Sequence, residues 1–351
     1  MRRADSVEPM SFAIVPVDPF DDGAVDAWWD AYAAARRVDM GEDAVIWSRE
    51  ESRAELQQPS ATTDRRAFAA VDQGAVIGSA SIALSLKDNL HIAAIGVNVP
   101  AEHRRRGVGT ALLAHLESEA AAAGRTTMRA DIFWPASAEA DGTGEPGREF
   151  ARRHGYEVAL GDLQSRLDLP VPEATIDDLL ADSRAAGYST RSWSGPVPDD
   201  LVAEWAALDA LLDTEAPTGG LDIEASSADV ADFRADEELV ARQGRTSFGT
   251  AALAPDGHVA AYTQIVVSRD DGNAYQWGTL VRREDRGHRL GLRVKLENLR
   301  MLQRLSPGTT RVYTFNADSN AHMLEVNTRL GFRMTARMGE LQKRLARGDD
   351  A

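Results

Sequence analysis

Residues 93–114 read Ala93-Ala-Ile-Gly-Val-Asn-Val-Pro-Ala-Glu-His-Arg-Arg-Arg-Gly-Val-Gly-Thr-Ala-Leu-Leu-Ala114. An apolar run ends at Val99, and a turn opened by Pro100 carries the basic cluster His103 to Arg106. Gly107-Val108-Gly109 follows, then a pattern with Val108, Leu112 and Leu116 on one face and Gly124 at its C′ end. The spacing predicts strand, basic glycine turn and helix. The first amides of a helix lack internal partners and carry partial positive charge. Glycines let an anion approach the main chain, and Arg104, Arg105 and Arg106 add charged donors. Such a turn suits a pyrophosphate. A dinucleotide-type glycine loop fits less well, because no Gly-x-Gly directly follows the strand.

The pattern occurs twice. Tyr275-Gln-Trp-Gly-Thr-Leu-Val-Arg-Arg-Glu-Asp-Arg-Gly-His-Arg-Leu-Gly-Leu-Arg-Val-Lys295 places Arg286 against Arg104 and Gly291 against Gly109, both at an offset of 182. Two such units at one spacing make the chain a tandem duplication. Pro170-Val-Pro172 marks the boundary, giving domains 1–170 and 171–351.

The first copy reads as strand 12–17, helix 21–37 capped by Asp21 or Asp22, helix 49–57, strands 66–71 and 76–86 around Asp72-Gln-Gly74, and strand 89–99. After the basic turn and its helix come strand 126–133, a loop at 135–147, helix 148–154 and a strand near 163–169. A helix at 173–186 bridges to the second copy. That copy repeats the order with strand 188–193, helix 199–212 capped by Asp199 or Asp200, loop 214–227 and helix 229–243. Strands 246–253, 258–267 and 273–281, helix 290–305, strand 311–316, helix 321–330 and strand 335–342 complete it. Each half is therefore expected to be α/β in the α+β sense, a mixed, mostly antiparallel sheet flanked by helices. Residues 1–11 read as a disordered lead.

At 351 residues the chain can bury two ordinary cores. It holds no cysteine, which excludes disulfides, thiolate metal sites and a Cys nucleophile. No metal ligand set is expected. No run approaches the ~18 apolar residues of a membrane span, and the start lacks the apolar core of a secretion signal. A soluble cytoplasmic protein, monomeric or homodimeric and without a membrane partner, is expected. A formal net charge of −16 disfavours nucleic acid as a partner and requires a polyanionic ligand to be held by local cation clusters. The same acidity attracts a cationic amine. Only Lys87, Lys295 and Lys343 are lysines among 39 basic residues, a composition that fits a GC-rich bacterial genome.

Arg104-x-x-Gly107-x-Gly109 after a strand, with a later helix ending in Gly155-Tyr156, resembles the acyl-CoA-binding motif of the GNAT superfamily of N-acetyltransferases. The second half resembles the same fold, with Asn320-Ala-His-Met-Leu-Glu-Val-Asn-Thr-Arg-Leu-Gly-Phe332 similar to the family's penultimate helix. The tandem arrangement is similar to mycothiol synthase and other actinobacterial two-domain members. The resemblance implies acetyl-CoA, or another short acyl-CoA, as co-substrate without a metal, and direct attack by a small-molecule amine. Its cofactor-binding positions would be Val97, Val99, Arg104, Arg105, Arg106, Gly107, Val108, Gly109 and Thr110 in the first half. In the second they would be Thr279, Val281, Arg286, Gly287, His288, Arg289, Gly291 and Asn320. Strand amides near Val97–Val99 or Thr279–Val281 would polarise the thioester carbonyl.

Three departures bear on catalysis. The family's penultimate-helix Tyr, an acid for the leaving thiolate, falls on Ala151 and Asn327, leaving Tyr156 as a candidate. Arg289 stands where Gly107 stands in the first turn, so its side chain either narrows the pocket or binds phosphate itself. The family's strand carboxylate, 11 residues before the motif Arg, falls on Ala93 and Tyr275, and His91 shares a face with Ala93. His91 and Tyr275 are thus candidate bases, with Glu224 and His322 in segments that can border the acceptor cleft. The missing Tyr also suits an alternative, a catalytically inactive acyl-CoA-binding or interaction protein.

Overall fold

In the computed structural model residues 12–183, 185–269 and 271–345 are described; the expected lead at 1–11 lies outside them. The first copy runs β1 (Ala13–Pro16), α1 (Asp22–Met40), α2 (Arg49–Gln57), β2 (Thr63–Asp72), β3 (Ala75–Ser85), β4 (Ile92–Asn98), α3 (Val108–Ala122), β5 (Thr127–Pro135), α4 (Pro146–Arg153) and β6 (Glu157–Asp168). The linking helix α5 (Glu173–Asp182) leads to β7 (Ser189–Ser194), α6 (Val202–Ala210), the single turn α7 (Leu212–Glu215) and α8 (Val230–Arg242). β8 (Thr246–Leu253), β9 (Val259–Val267), β10 (Asn273–Val281), α9 (Leu290–Leu305), β11 (Arg311–Ala317), α10 (Ala321–Leu330) and β12 (Arg333–Arg344) finish the chain.

Local chemistry explains most boundaries. Asp21 caps α1 by accepting from the amides of Gly23 and Ala24. Ser48 and Glu51 close a reciprocal capping box on α2. The β2–β3 hairpin turns through Gln73 and Gly74, both left-handed, as a two-residue hairpin turn with the strands' own twist requires. Helix α6 is not capped as expected. It starts at Val202 without a side-chain cap, because Asp199 is drawn to Arg234 and Asp200 to Arg191.

All strands join one 12-stranded sheet in the order β1-β2-β3-β4-β5-β12-β6-β11-β10-β9-β8-β7. The last strand of each copy is exchanged. β12 lies between β5 and β6, both from the first copy, and β6 lies between β12 and β11, both from the second. The central β12–β6 pair is antiparallel, as are β5–β12 and β6–β11. Pairing is parallel at two places, β4 with β5 and β10 with β11. Helix α3 packs Leu112, Leu113 and Leu116 against Ile82, Ala93 and Met128. Helix α9 does the same with Leu292, Leu296 and Leu299 against Ile265, Ala274 and Val312.

Elements of each copy also reach across to the other. Glu51 of α2 pairs with Arg245 at 2.7 Å, both side chains buried, and the Arg245 guanidinium lies 4.3 Å from the Trp47 ring centroid. In the other direction the loop after α7 reaches the first copy. The Asp222 carbonyl meets His91 Nε2 at 3.1 Å, and the Glu224 amide donates to Asn89 Oδ1.

Candidate active site

The two parallel pairings are short, and their ends create the sites. β4 pairs with β5 only over Ile92–Ile95, leaving Gly96, Val97 and Asn98 without a strand on that side. β10 pairs with β11 only over Asn273–Tyr275, leaving Gln276 to Val281 open. Backbone amides past such a splay are free to meet a ligand. The halves differ in one respect. β4 stays in register with β3 through Asn98. β10 slips against β9 between Gln276 and Thr279, so Trp277 and Gly278 face one residue, a bulge that re-aims the strand. Gly278 is needed there: a Cβ would lie 2.1 Å from the Tyr262 hydroxyl.

Both splayed strands run into the same basic turn. Its two left-handed positions are Arg105 and Gly107 in the first half, Gly287 and Arg289 in the second. At an offset of 182 these are the same two places, each turn having one glycine and one arginine, in opposite order. The glycine that the second turn lacks at Arg289 is thus supplied at Gly287. An arginine in this conformation is strained by about 1–2 kcal/mol. The Arg289 guanidinium at the rim of the second cleft donates to the carbonyl and carboxylate of Asp182 at 2.8 and 2.7 Å.

The motif arginines act mainly as clamps. Arg104 Nε donates to the Val99 carbonyl at 2.9 Å, and its two terminal nitrogens grip Asp39. Arg286 Nε donates to the Val281 carbonyl at 3.3 Å, and Nη2 to Glu215 at 2.7 Å. Each therefore fixes the turn onto the strand end. Arg106 pairs with Asp72, and His288 tilts against the Tyr188 ring.

The cavities behind the two turns are unequal. The first, of about 420 Å³, is lined by Trp28, Tyr32, Gly96, Val97, Asp131 and Phe150 among others, but by no residue from Arg104 to Thr110. Phe150 ring carbons stand 3.4 Å from where a Gly109 Cβ would be, with Val99 beside them, and His154 bonds Thr110 at 3.2 Å. Helix α4 and its C-cap His154 thus pack against the turn at Gly109 and Thr110. The second cleft, of about 1040 Å³, is continuous. It is lined by Arg286, Gly287, Arg289 and Gly291 at the turn, by Gln276 to Val281 of β10, and by Asn316 and Asn320. A Cβ at Gly287 would meet nothing within 4 Å, and one at Gly291 only Val281 at 3.5 Å. This bare, amide-lined turn fits the diphosphate end of an acyl-CoA.

The titratable candidates fall elsewhere than expected. His91 bonds the Asp222 carbonyl at 3.1 Å, under the loop of the other half, and lines neither cavity. Tyr275 is buried against Trp47 and Tyr313. Burial first, then the Asp271 charge, raises its phenol well above the ordinary value. Tyr156 borders the first cavity, but its hydroxyl donates to Glu117 at 3.1 Å, and burial followed by that carboxylate raises it likewise. A phenol so raised keeps its proton at neutral pH. Glu224 lines neither cavity, whereas His322 lines the second.

A carboxylate group absent from the sequence reading lies at the exchanged strands. Asp131 of β5 is directly opposite Glu340 of β12, and Met338, two residues earlier on the same face, is opposite Asp162 of β6. Asp131 opens into the first cavity, Asp162 and Glu340 into the second. Arg129 pairs with Glu340 at 2.5 Å. Asp162 is held well above the usual carboxylate range by burial first and then by Glu340. Asp131 is raised by burial and Glu340 against the opposing pull of Arg36 and Arg129. No motif could have shown this group, because strand exchange assembles it from both copies.

Residues 25–140 match the acetyltransferase (GNAT) family. Along 96% of its length the chain is similar to a tandem GNAT protein from the clavulanic acid biosynthesis pathway, with 26% identity, a TM-score of 0.78 and all of that chain covered. It shares its fold with a GCN5-related N-acetyltransferase from Sphaerobacter thermophilus (19% identity, TM-score 0.65, 98% of each chain). The same holds for a putative acetyltransferase from Pyrococcus horikoshii (12% identity, TM-score 0.56, 98% of this chain and 93% of that one). No curated protein matches the chain. The first copy thus carries a match to the GNAT acetyltransferase family, and the whole chain has the fold of a tandem GNAT protein, two such folds sharing one sheet. Among the described residues no helix is long and apolar enough to cross a membrane, and no three His, Asp or Glu side chains are grouped to hold a metal ion.

Proposed function

We propose that the protein is a cytoplasmic N-acyltransferase that transfers acetyl, or another short acyl group, from acyl-CoA to a small-molecule amine, with the second cleft as its working site. The observation that carries this reading is the continuity of that cleft from the turn at Arg286–Gly291 to the bulged strand at Trp277–Gly278. Bound acyl-CoA supplies an activated thioester carbonyl. The turn amides and the positive end of α9 hold the diphosphate. Amides of β10 past the bulge are placed to polarise the carbonyl. Asp162, its carboxyl raised by burial and by the neighbouring Glu340, attracts an ammonium and accepts the proton that the nitrogen must lose.

The test is calorimetry of the full chain with acetyl-CoA, followed by free-thiol release across a panel of primary amines. His288→Glu, exposed in the second turn, is expected to weaken binding at least about tenfold, or ~1.4 kcal/mol. Arg105→Glu, exposed in the first turn, is expected to leave it unchanged. Loss of binding through Arg105→Glu alone would move the site to the first half, and no binding by the wild type would refute the reading. A second reading, acyl-CoA binding without turnover, is favoured by Ala151 and Asn327 at the two Tyr positions. Binding with no thiol release from any amine would establish it.

A further inference from the structure

Lys295 stands on α9 one turn beyond Gly291, so the two share a helix face, and both line the second cleft. Its side chain is nonetheless enclosed, with 3% exposure. Nζ donates to Asn327 Oδ1 at 2.8 Å, and its next partner is the Met323 sulfur at 4.0 Å, with the Phe332 ring centroid 5.6 Å away. An ammonium carries three donors, and here one strong acceptor meets them. Asn327 in turn donates Nδ2 to Asn316 Oδ1 at 2.6 Å, and Asn316 lines the cleft.

The duplication provides an internal control. Leu113 occupies the place of Lys295 at the offset of 182, and Ala151 the place of Asn327 when the copies are aligned on Gly155-Tyr156 and Gly331-Phe332, an offset of 176. The same corner of the same fold therefore packs with two apolar side chains. The second copy has put a cation there, against an effective desolvation penalty of several kcal/mol. Ala151 and Asn327 are also the positions where the family's acid is missing. We propose that Lys295 is the proton donor to the sulfur that leaves when an acyl-CoA in the second cleft is aminolysed, with Asn327 and Asn316 positioning its ammonium. This rests on the acyltransferase reading above.

The step balances. The neutral amine nitrogen forms a bond to the acyl carbon, the C–S bond breaks, and its electron pair stays on sulfur. One Nζ proton passes to that sulfur, and the resulting neutral lysine is reprotonated by solvent. The proton lost by the attacking nitrogen goes to Asp162 and then to solvent. Burial, with no charge contribution from the elements packed around it, brings the Lys295 ammonium down to about 7, where a donor works best at neutral pH.

Because the chain has three lysines, ε-13C-lysine NMR of the full-length protein gives three signals, assigned with one Lys→Met variant each. Lys295 is expected to titrate near 7 and to shift when CoA is added. Lys295→Met is expected to bind CoA within about threefold of wild type, lower kcat about 100-fold, and remove the basic limb of its pH profile. A Lys295 signal titrating above pH 9, or kcat and basic limb surviving in Lys295→Met, would overturn the proposal while leaving the acyltransferase reading intact. Failure of the wild type to bind CoA, or to turn over any amine, would overturn both.

Discussion

Lys295→Met should make the fold more stable at neutral pH. The free lysine value is 10.5, and burial lowers it to about 7 in the native state. Between these values the unfolded chain binds a proton that the native chain does not, so native stability rises with pH across the window. At about 1.36 kcal/mol per unit, the lysine withholds on the order of 4 kcal/mol at pH 7 and on the order of 2 kcal/mol at pH 9. Methionine matches the length of the stem, meets the same Met323 and Phe332 surface, and has no charge to desolvate. The assay is guanidinium chloride unfolding of both proteins at pH 6, 7, 8 and 9, read by circular dichroism. The variant is expected to show the higher midpoint at pH 7, with the gap narrowing as the wild type gains stability towards pH 9. A gap that does not change with pH, or a variant weaker than wild type at pH 7, would refute the burial argument.

Further outcomes follow from other sites. Glu51→Gln leaves Arg245 charged and buried beneath Trp47 and is expected to lower unfolding stability by about 3–5 kcal/mol; the double change, Glu51→Gln together with Arg245→Met, should recover much of that loss in the same assay. Burial works to raise Glu51, but hydrogen bonding and charge from Arg245 prevail and lower it, so its contribution is present above the ordinary carboxylate value and lost as pH falls below it. Wild type should therefore show an acid-side loss of melting temperature that Glu51→Gln lacks. Gly278→Ala drives a Cβ into the Tyr262 hydroxyl and is expected to lose about 1–3 kcal/mol and weaken CoA binding. Gly96→Ala, the first-half comparison, meets the small Ser81 side chain at 2.9 Å and should leave CoA affinity unchanged by calorimetry.

Local pattern carried most elements. Helices over 49–57, 290–305 and 321–330 and strands over 246–253 and 273–281 follow from caps, breakers and periodicity alone. The duplicated turn was equally legible, because its physics is confined to a few consecutive residues. What the sequence could not carry was the partner of each last strand: the strands expected near 163–169 and at 335–342, found at 157–168 and 333–344, fit either connectivity, and their exchange is decided by packing far along the chain. The candidate bases His91 and Tyr275 lie outside both cavities for a related reason. Period-2 alternation places His91 and Tyr275 on the intended faces, yet Asp222 and Trp47 of the opposite copy cover those faces. Lys295 did leave a signal, a lone lysine between Leu292, Leu296 and Leu299 on an apolar helix face.

Strand exchange also bears on why the second cleft needs the first copy. The repeat boundary at Pro170 separates the copies in sequence, but the sheet does not divide there. β12 has first-copy strands on both sides, and β6 has second-copy strands on both sides. Without the first copy, the second would lose both neighbours of its final strand and expose long unpaired edges. It would also lose Asp162, the carboxyl group that β6 delivers into the second cleft. The first copy can therefore have Phe150 and His154 packed against its own turn without becoming dispensable. Its last strand completes the wall, and the charge, of the cleft that stays open.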